Sequence, residues 1–120
     1  MKDSQIASLI ITLLIGLITC VTGFIVKKKP PKTINSLYGY RTRRSMKNQL
    51  LWDEANRYSA ELMIRYGLLY TLIGLILSFL FEGTYLSLII TGLIFVPFTL
   101  LIIQTEKRLK ELDEELERKN

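Results

Sequence analysis

A polar, basic stretch near the middle of the chain holds the residue types best suited to recognising a ligand. Arg41 is always charged and carries five N–H donors, so it can clamp a phosphate, a peptide carboxylate or backbone carbonyls. Trp52 and Asn56 lie one helical turn apart, which places an aromatic platform beside an amide. We expect one binding cluster at the membrane surface. Its candidate residues are Asn35, Gly39, Tyr40, Arg41, Thr42, Ser45, Trp52 and Asn56.

The residue inventory favours binding over catalysis. The chain has no histidine, no glycine-rich phosphate loop and no clustered carboxylates in its apolar runs, so we expect it not to be an enzyme. The apolar runs also lack the ionisable groups that ion coupling needs. Cys20 is the single cysteine, and we interpret it as a packed apolar residue, with neither a metal site nor a cofactor expected. The net charge of +5 is assigned to membrane topology and not to nucleic-acid binding.

Three apolar blocks predict a single membrane domain over residues 1–120. They lie at about 6–26, 62–81 and 85–103, and each can cross a hydrocarbon core of ~30 Å as a helix. The second block is long enough only if Arg65 keeps its charged head at the interface. The first block is too long for the core of a cleaved signal peptide, so we interpret it as a retained span.

The distribution of positive charge predicts the orientation. Lysine and arginine are concentrated in the loop at 27–61 and recur in the tail at 104–120, whereas the short link at Glu82 has none. The positive-inside rule therefore places loop and tail in the cytoplasm of a bacterial plasma membrane, with the N-terminus outside.

Local signals divide the remaining chain into helices. Ser45 is a plausible N-cap for an amphipathic helix that runs along the inner leaflet and then turns or bends into the second span. Pro97 should kink the third span, because the Leu93 carbonyl loses its partner. The predicted fold is an all-α membrane protein: three transmembrane helices with a cytoplasmic amphipathic helix before the second span and a charged C-terminal helical extension.

Two stripes of residues on the predicted helices are suited to packing, but the sequence does not identify the partner of either one. Small residues run the length of the first helix, and they suit close helix packing either within this chain or between copies in a homo-oligomer. A thin leucine seam on the tail faces a partner, the helix after Ser45, or only water. The first stripe comprises Ser8, Thr12, Gly16, Thr19 and Gly23, and the second Leu109, Leu112 and Leu116.

The polar stretch resembles a known signature. Asn35-x-x-x-Gly39-Tyr-Arg-Thr42-x-x-Ser45, then Trp52-x-x-x-Asn56, resembles that of the SdpI/YfhL family of small bacterial membrane proteins, over roughly 33–77. In that family the signature lies after one transmembrane helix and before a helical pair, as here. Members include an immunity protein that protects its producer from a secreted peptide toxin and holds a transcriptional repressor at the membrane. Larger members carry a further N-terminal membrane region.

The resemblance implies immunity or resistance to a membrane-active peptide, by binding, with a cytoplasmic repressor or other regulator as a second partner beside the lipid bilayer. Two other classes stay open. One is a small holin-like pore-former, which needs no such signature. The other is a membrane scaffold whose tail recruits a cytoplasmic partner. The candidate residues also have a purely structural alternative, in which they fasten the loop to the next helix and touch no ligand.

Overall fold

The apolar runs fold into four α-helices in a computed structural model that describes residues 1–119. They are α1 (Asp3–Lys28), α2 (Gln49–Leu80), α3 (Thr84–Leu93) and α4 (Phe95–Lys119). α1, α2 and the nearly continuous α3–α4 are each long and apolar enough to cross a membrane. The all-helical, three-span fold predicted from the sequence is therefore confirmed. Two ends are distinguished below: the basic end, with the loop between α1 and α2, and the Glu82 end, with the α2–α3 turn.

α2 is one uninterrupted helix of 32 residues, so the predicted turn or bend before the second span is absent. No glycine or proline occurs between Gln49 and Gly67 to break it. Its N-cap is Asn48, whose Oδ1 accepts the Leu51 N–H at 2.9 Å, and the predicted cap at Ser45 is wrong. At 1.5 Å per residue the helix is about 48 Å long, so its charged first half projects beyond a ~30 Å hydrocarbon core.

α1 and α2 pack backbone to backbone along the small-residue stripe. Every member of that stripe is buried, and from Thr12 to Thr19 it faces small residues of α2, which are Gly74, Thr71 and Gly67. A Cβ atom added to Gly74 would lie 2.5 Å from Thr12 Cγ2, and one added to Gly67 would lie 2.7 Å from Cys20 Sγ. In lipid, where no hydrophobic effect drives helices together, such close approach supplies the packing energy. The stripe therefore has an intramolecular partner, and α2 covers the face that a second copy would need.

The third span is broken where proline chemistry predicts a break. α3 ends at Leu93 and α4 begins at Phe95, so the helix is interrupted at Ile94, three residues before Pro97. Tyr70 of α2 stabilises the break, because its hydroxyl donates to the Ile90 carbonyl at 2.8 Å. On the other side of the break, the Tyr66 hydroxyl donates to Gln104 Oε1 at 2.7 Å. α2 thus holds both halves of the third span.

Polar contacts close the Glu82 end. The Gly83 N–H donates to Ser4 Oγ at 3.0 Å, and Gln5 Nε2 donates to the Phe81 carbonyl at 3.2 Å. One turn further in, the Ser8 and Ser87 hydroxyls lie 3.3 Å apart. These contacts fix the start of α1 against the α2–α3 turn and leave the opposite, basic end as the part of the molecule with an extended loop.

Candidate functional site

Two buried side chains of α2 anchor the loop at the basic end. Trp52 is 0% exposed and Asn56 is 1% exposed. The Trp52 Nε1–H donates to the Pro31 carbonyl at 2.7 Å, and Asn56 Oδ1 accepts the Tyr40 N–H at 2.7 Å. The Asn56 amide group also donates to the Trp52 carbonyl at 2.9 Å. The polar atoms of this pair therefore bind the chain's own backbone.

Gly39 allows the loop to approach α2. Its φ is +110°, a conformation that residues with a side chain rarely adopt. A Cβ atom at this position would lie 2.6 Å from Asn56 Oδ1 and 2.8 Å from Pro31 Cγ. Both the dihedral angle and the space therefore require glycine between Tyr38 and Tyr40.

Thr42 and Ser45 close a tight turn. The Thr42 N–H donates to Ser45 Oγ at 2.8 Å, and the Ser45 N–H donates to Thr42 Oγ1 at 3.2 Å. The Ser45 hydroxyl in turn lies 3.0 Å from the Tyr40 carbonyl, which it can reach as a donor. Ser45 is fully buried, so its side chain serves this turn instead of the start of α2.

Asn35 and Arg41 shape the loop tip, defined here as residues 36–38. Asn35 Oδ1 accepts the N–H groups of Leu37 and Tyr38 at 2.9 and 2.7 Å, an Asx turn. The Arg41 guanidinium donates to the Ser36 carbonyl. In the resulting tip, Leu37 is 89% exposed.

The structure therefore divides the predicted cluster into two groups. Five of the eight signature residues, Tyr40, Thr42, Ser45, Trp52 and Asn56, form the hydrogen bonds that hold the loop against α2, and Gly39 packs closely on Asn56. Asn35 and Arg41 instead make their hydrogen bonds to residues 33–38 and shape the tip. The internal contacts favour the fastening role for the network, and Arg41 is the charged member that stays exposed. A ligand-binding role for these residues stays a prediction.

A cavity of about 450 Å³, called here the loop pocket, lies under the loop. Its walls come from the ends of α1 and α4, its floor from α2 and its roof from loop residues 37–42. Arg41 is its one charged lining residue. The lining from the helices consists of Thr22, Val26, Ser59, Met63, Phe98, Leu101 and Ile102.

The tail packs against α2 and the loop, although none of the predicted binding residues lies in the tail. Leu109 is fully buried against Leu51 and Ala55, with Tyr40 and Leu112 packed on the same cluster, so the first two leucines of the seam face α2. Burial raises the pKa of the Tyr40 phenol, and the Glu106 carboxylate raises it further. The heptad-like spacing of the leucines was the sequence signal for this interface, but it did not identify α2 as the partner helix.

Ion pairs surround this loop–tail interface. Lys47 Nζ lies 2.8 Å from Asp113 Oδ1 and 3.2 Å from Glu117 Oε1, and Arg108 Nη2 lies 3.3 Å from Glu54 Oε2. Hydrogen bonds to Asp113 and then to Glu117 raise the pKa of Lys47. Opposite charges thus link the loop and the first turns of α2 to the tail. Within residues 1–119 no three potential metal ligands come together.

The fold and the loop define a multi-pass helical membrane protein with a structured polar loop at one end. A family model described as the SdpI/YfhL protein family matches residues 32–104, and the chain belongs to that family. The chain is also 47% identical over 95 residues to the uncharacterized protein YfhL of Bacillus subtilis strain 168, an alignment that covers 79% of this chain and 82% of YfhL. No solved structure matches the chain.

Proposed function

We propose that this protein protects a bacterial plasma membrane against a membrane-active peptide toxin by binding the peptide, without catalysis. The observation that carries the proposal is the loop tip. Asn35 and Arg41 fix its backbone, yet Leu37 is held 89% exposed beside the membrane-spanning bundle. An apolar side chain on a preformed turn loses little conformational entropy on binding, so it suits capture of an apolar or amphipathic segment.

Membership of the SdpI/YfhL family supports the proposal, since the signature that resembles this family is the part of the chain that builds the tip. In this mechanism the Trp52–Asn56 network positions the tip, and Leu37 and Tyr38 contact the peptide. A captured peptide cannot assemble into a permeabilising structure. Signalling to a cytoplasmic repressor belongs to the same proposal, with the charged outer face of the tail as its docking surface.

The test is survival of a toxin-sensitive bacterium that expresses the chain and is challenged with a membrane-permeabilising peptide. We expect protection by the wild type and its loss in Leu37→Ser. Leu50→Ser is the matched control, because Leu50 is also an exposed leucine at the basic end, 59% exposed, but lies outside the tip. Absence of protection with the wild type confirmed in the membrane, or equal protection by both variants, would contradict the proposal.

Orientation is part of the same proposal: the basic end faces the cytoplasm, and the start of α1 lies outside. The positive charges at this end support it. In a Cys20→Ser background, a cysteine introduced for Leu37 should react with a membrane-impermeant maleimide in inverted vesicles and not in intact cells. Labelling in intact cells would reverse the orientation.

Two other functions make different predictions. A holin-like pore-former would depolarise or lyse the cells that express it, in the absence of any added peptide. A scaffold would lose its function when the residues after Thr105 are deleted, although the spans still insert. Two leucines of the seam that a scaffold would present, Leu109 and Leu112, pack against α2, so their contacts do not favour a scaffold over peptide binding.

A further inference from the structure

The loop pocket opens along the membrane as a groove between α1 and α4. Within the described residues, no Cα atom of α1 lies within 8 Å of one of α4, because α2 packs against both and separates them. Phe98 and Ile102 on the α4 wall are 41% and 48% exposed, so this wall continues into the lipid-facing surface of the bundle. The groove is therefore accessible from the bilayer as well as from the loop.

The lining of the pocket specifies an anionic ligand with an apolar chain. Its helical walls are apolar except for Thr22 and Ser59, Arg41 is the one charged residue, and no acidic residue lines it. A guanidinium without a carboxylate partner in the pocket suits a phosphate, with which it forms charge-assisted hydrogen bonds. The exposed lysines at 27–29 end the adjacent helix and add positive potential at the same depth.

We infer that the loop pocket binds one anionic phospholipid, with an acyl chain against Val26, Phe98 and Ile102 and its phosphate at Arg41. An acyl chain lying parallel to the helices packs against the apolar side chains of these walls and brings no polar group of its own. An extended peptide segment in the same groove would bring backbone N–H and C=O groups against apolar walls, where unpaired polar groups are costly. The groove thus favours a lipid, and Leu37, which lies on the roof of the pocket but is 89% exposed, remains available for a peptide.

Native mass spectrometry of the full chain, released from detergent that holds equal amounts of phosphatidylglycerol and phosphatidylcholine, tests this inference. We expect a single phosphatidylglycerol adduct in preference to phosphatidylcholine. Arg41→Gln should reduce that preference about tenfold, the effect of losing a hydrogen bond to a charged group. Lys110→Gln, which removes one exposed positive charge from the tail surface, should leave it unchanged. Equal retention of the two lipids by the wild type would overturn the inference.

A groove-filling pair locates the lipid independently of Arg41. Ile102→Trp should abolish the adduct, whereas Ile89→Trp, on a lipid-facing part of α3 that is 56% exposed, should retain it. Retention of the adduct by Ile102→Trp would place the lipid elsewhere and refute the inference. If that variant keeps its lipid but no longer protects cells against the peptide, the groove holds the peptide instead. Because the lipid measurement uses no toxin, its result stands apart from the survival test.

Discussion

Asn56 is the residue on which the loop most depends. Its amide is buried and bonded at both ends, once to the Tyr40 N–H and once to the Trp52 carbonyl. Water cannot replace either contact without opening the loop. Leaving a buried donor without a partner costs more free energy than a hydrogen bond contributes to stability. The spacing Trp-x-x-x-Asn in the sequence thus encodes an anchor on one face of α2.

Replacing Asn56 by alanine should therefore open the loop. The Tyr40 N–H loses its acceptor in a buried position, at a cost of about 1–3 kcal/mol. Because Trp52 is the single tryptophan, its emission should shift to the red, and trypsin should cut faster after Arg41 and Arg43.

Arg57→Ala, one residue along α2 and exposed, is the control and should change neither signal. Unchanged emission and unchanged cleavage in Asn56→Ala would show that the amide does not hold the loop.

At the scale of the elements, α1 and α2 form the most intimate contact of the fold. Small residues on both helices bring the two backbones together, and a side chain larger than hydrogen at Gly16 would collide with Thr71. Contacts of this kind recur from Thr12 to Gly23, so the stripe keeps the two backbones close along most of α1.

Gly74→Leu should force α1 and α2 apart. The added side chain would overlap Thr12, and overpacking of this kind costs about 1–3 kcal/mol. We expect a lower melting temperature in detergent.

Gly92→Leu is the matched control, because a Cβ atom there meets nothing within 4 Å. A melting temperature in Gly74→Leu equal to that of the control would argue against close packing at this position.

The elements also show what the sequence could and could not predict. The three spans and the Pro97 break follow from local hydropathy and from a missing N–H, and both were predictable. Ser45 was assigned to the wrong role because an N-cap and a tight turn use the same side chain, and only the position of the Tyr40 carbonyl decides between them. The loop pocket depends on the gap between α1 and α4, which no local pattern encodes.

At the scale of the whole molecule, the structure is elongated, with principal extents of 61 × 24 × 19 Å. A hydrocarbon core of ~30 Å accounts for about half of the longest extent. The other half consists of the first half of α2, the loop and the tail. Charge complementarity between Lys47 and Asp113, and between Arg108 and Glu54, connects the chain's middle to its end.

Reversing one charge of the Lys47–Asp113 pair should loosen the tail. In Lys47→Glu the new carboxylate faces two acidic residues, so amide hydrogen exchange over residues 105–119 should rise roughly two- to fivefold, as expected for exposed pairs. The double variant Lys47→Glu/Asp113→Lys should recover part of the protection.

Screening of these charges by salt supplies the control. At 1 M salt the Debye length falls to about 3 Å, and the wild type and Lys47→Glu should then exchange alike. Equal exchange of the two proteins at low salt would mean that the Lys47 ion pairs do not hold the tail, which would leave that role to the packing of Leu109 and to the Arg108–Glu54 pair.

The hydrogen bonds by which Trp52, Asn56 and Ser45 close the loop lie within a short part of the chain, between Pro31 and Asn56. Nothing in that network waits for α3 or α4. During synthesis, a nascent chain that has delivered α1 and α2 to the membrane already contains every donor and acceptor that closes the loop. Folding of the signature can therefore be complete while the ribosome is still translating the third span, and the tail then docks onto a loop that is already formed.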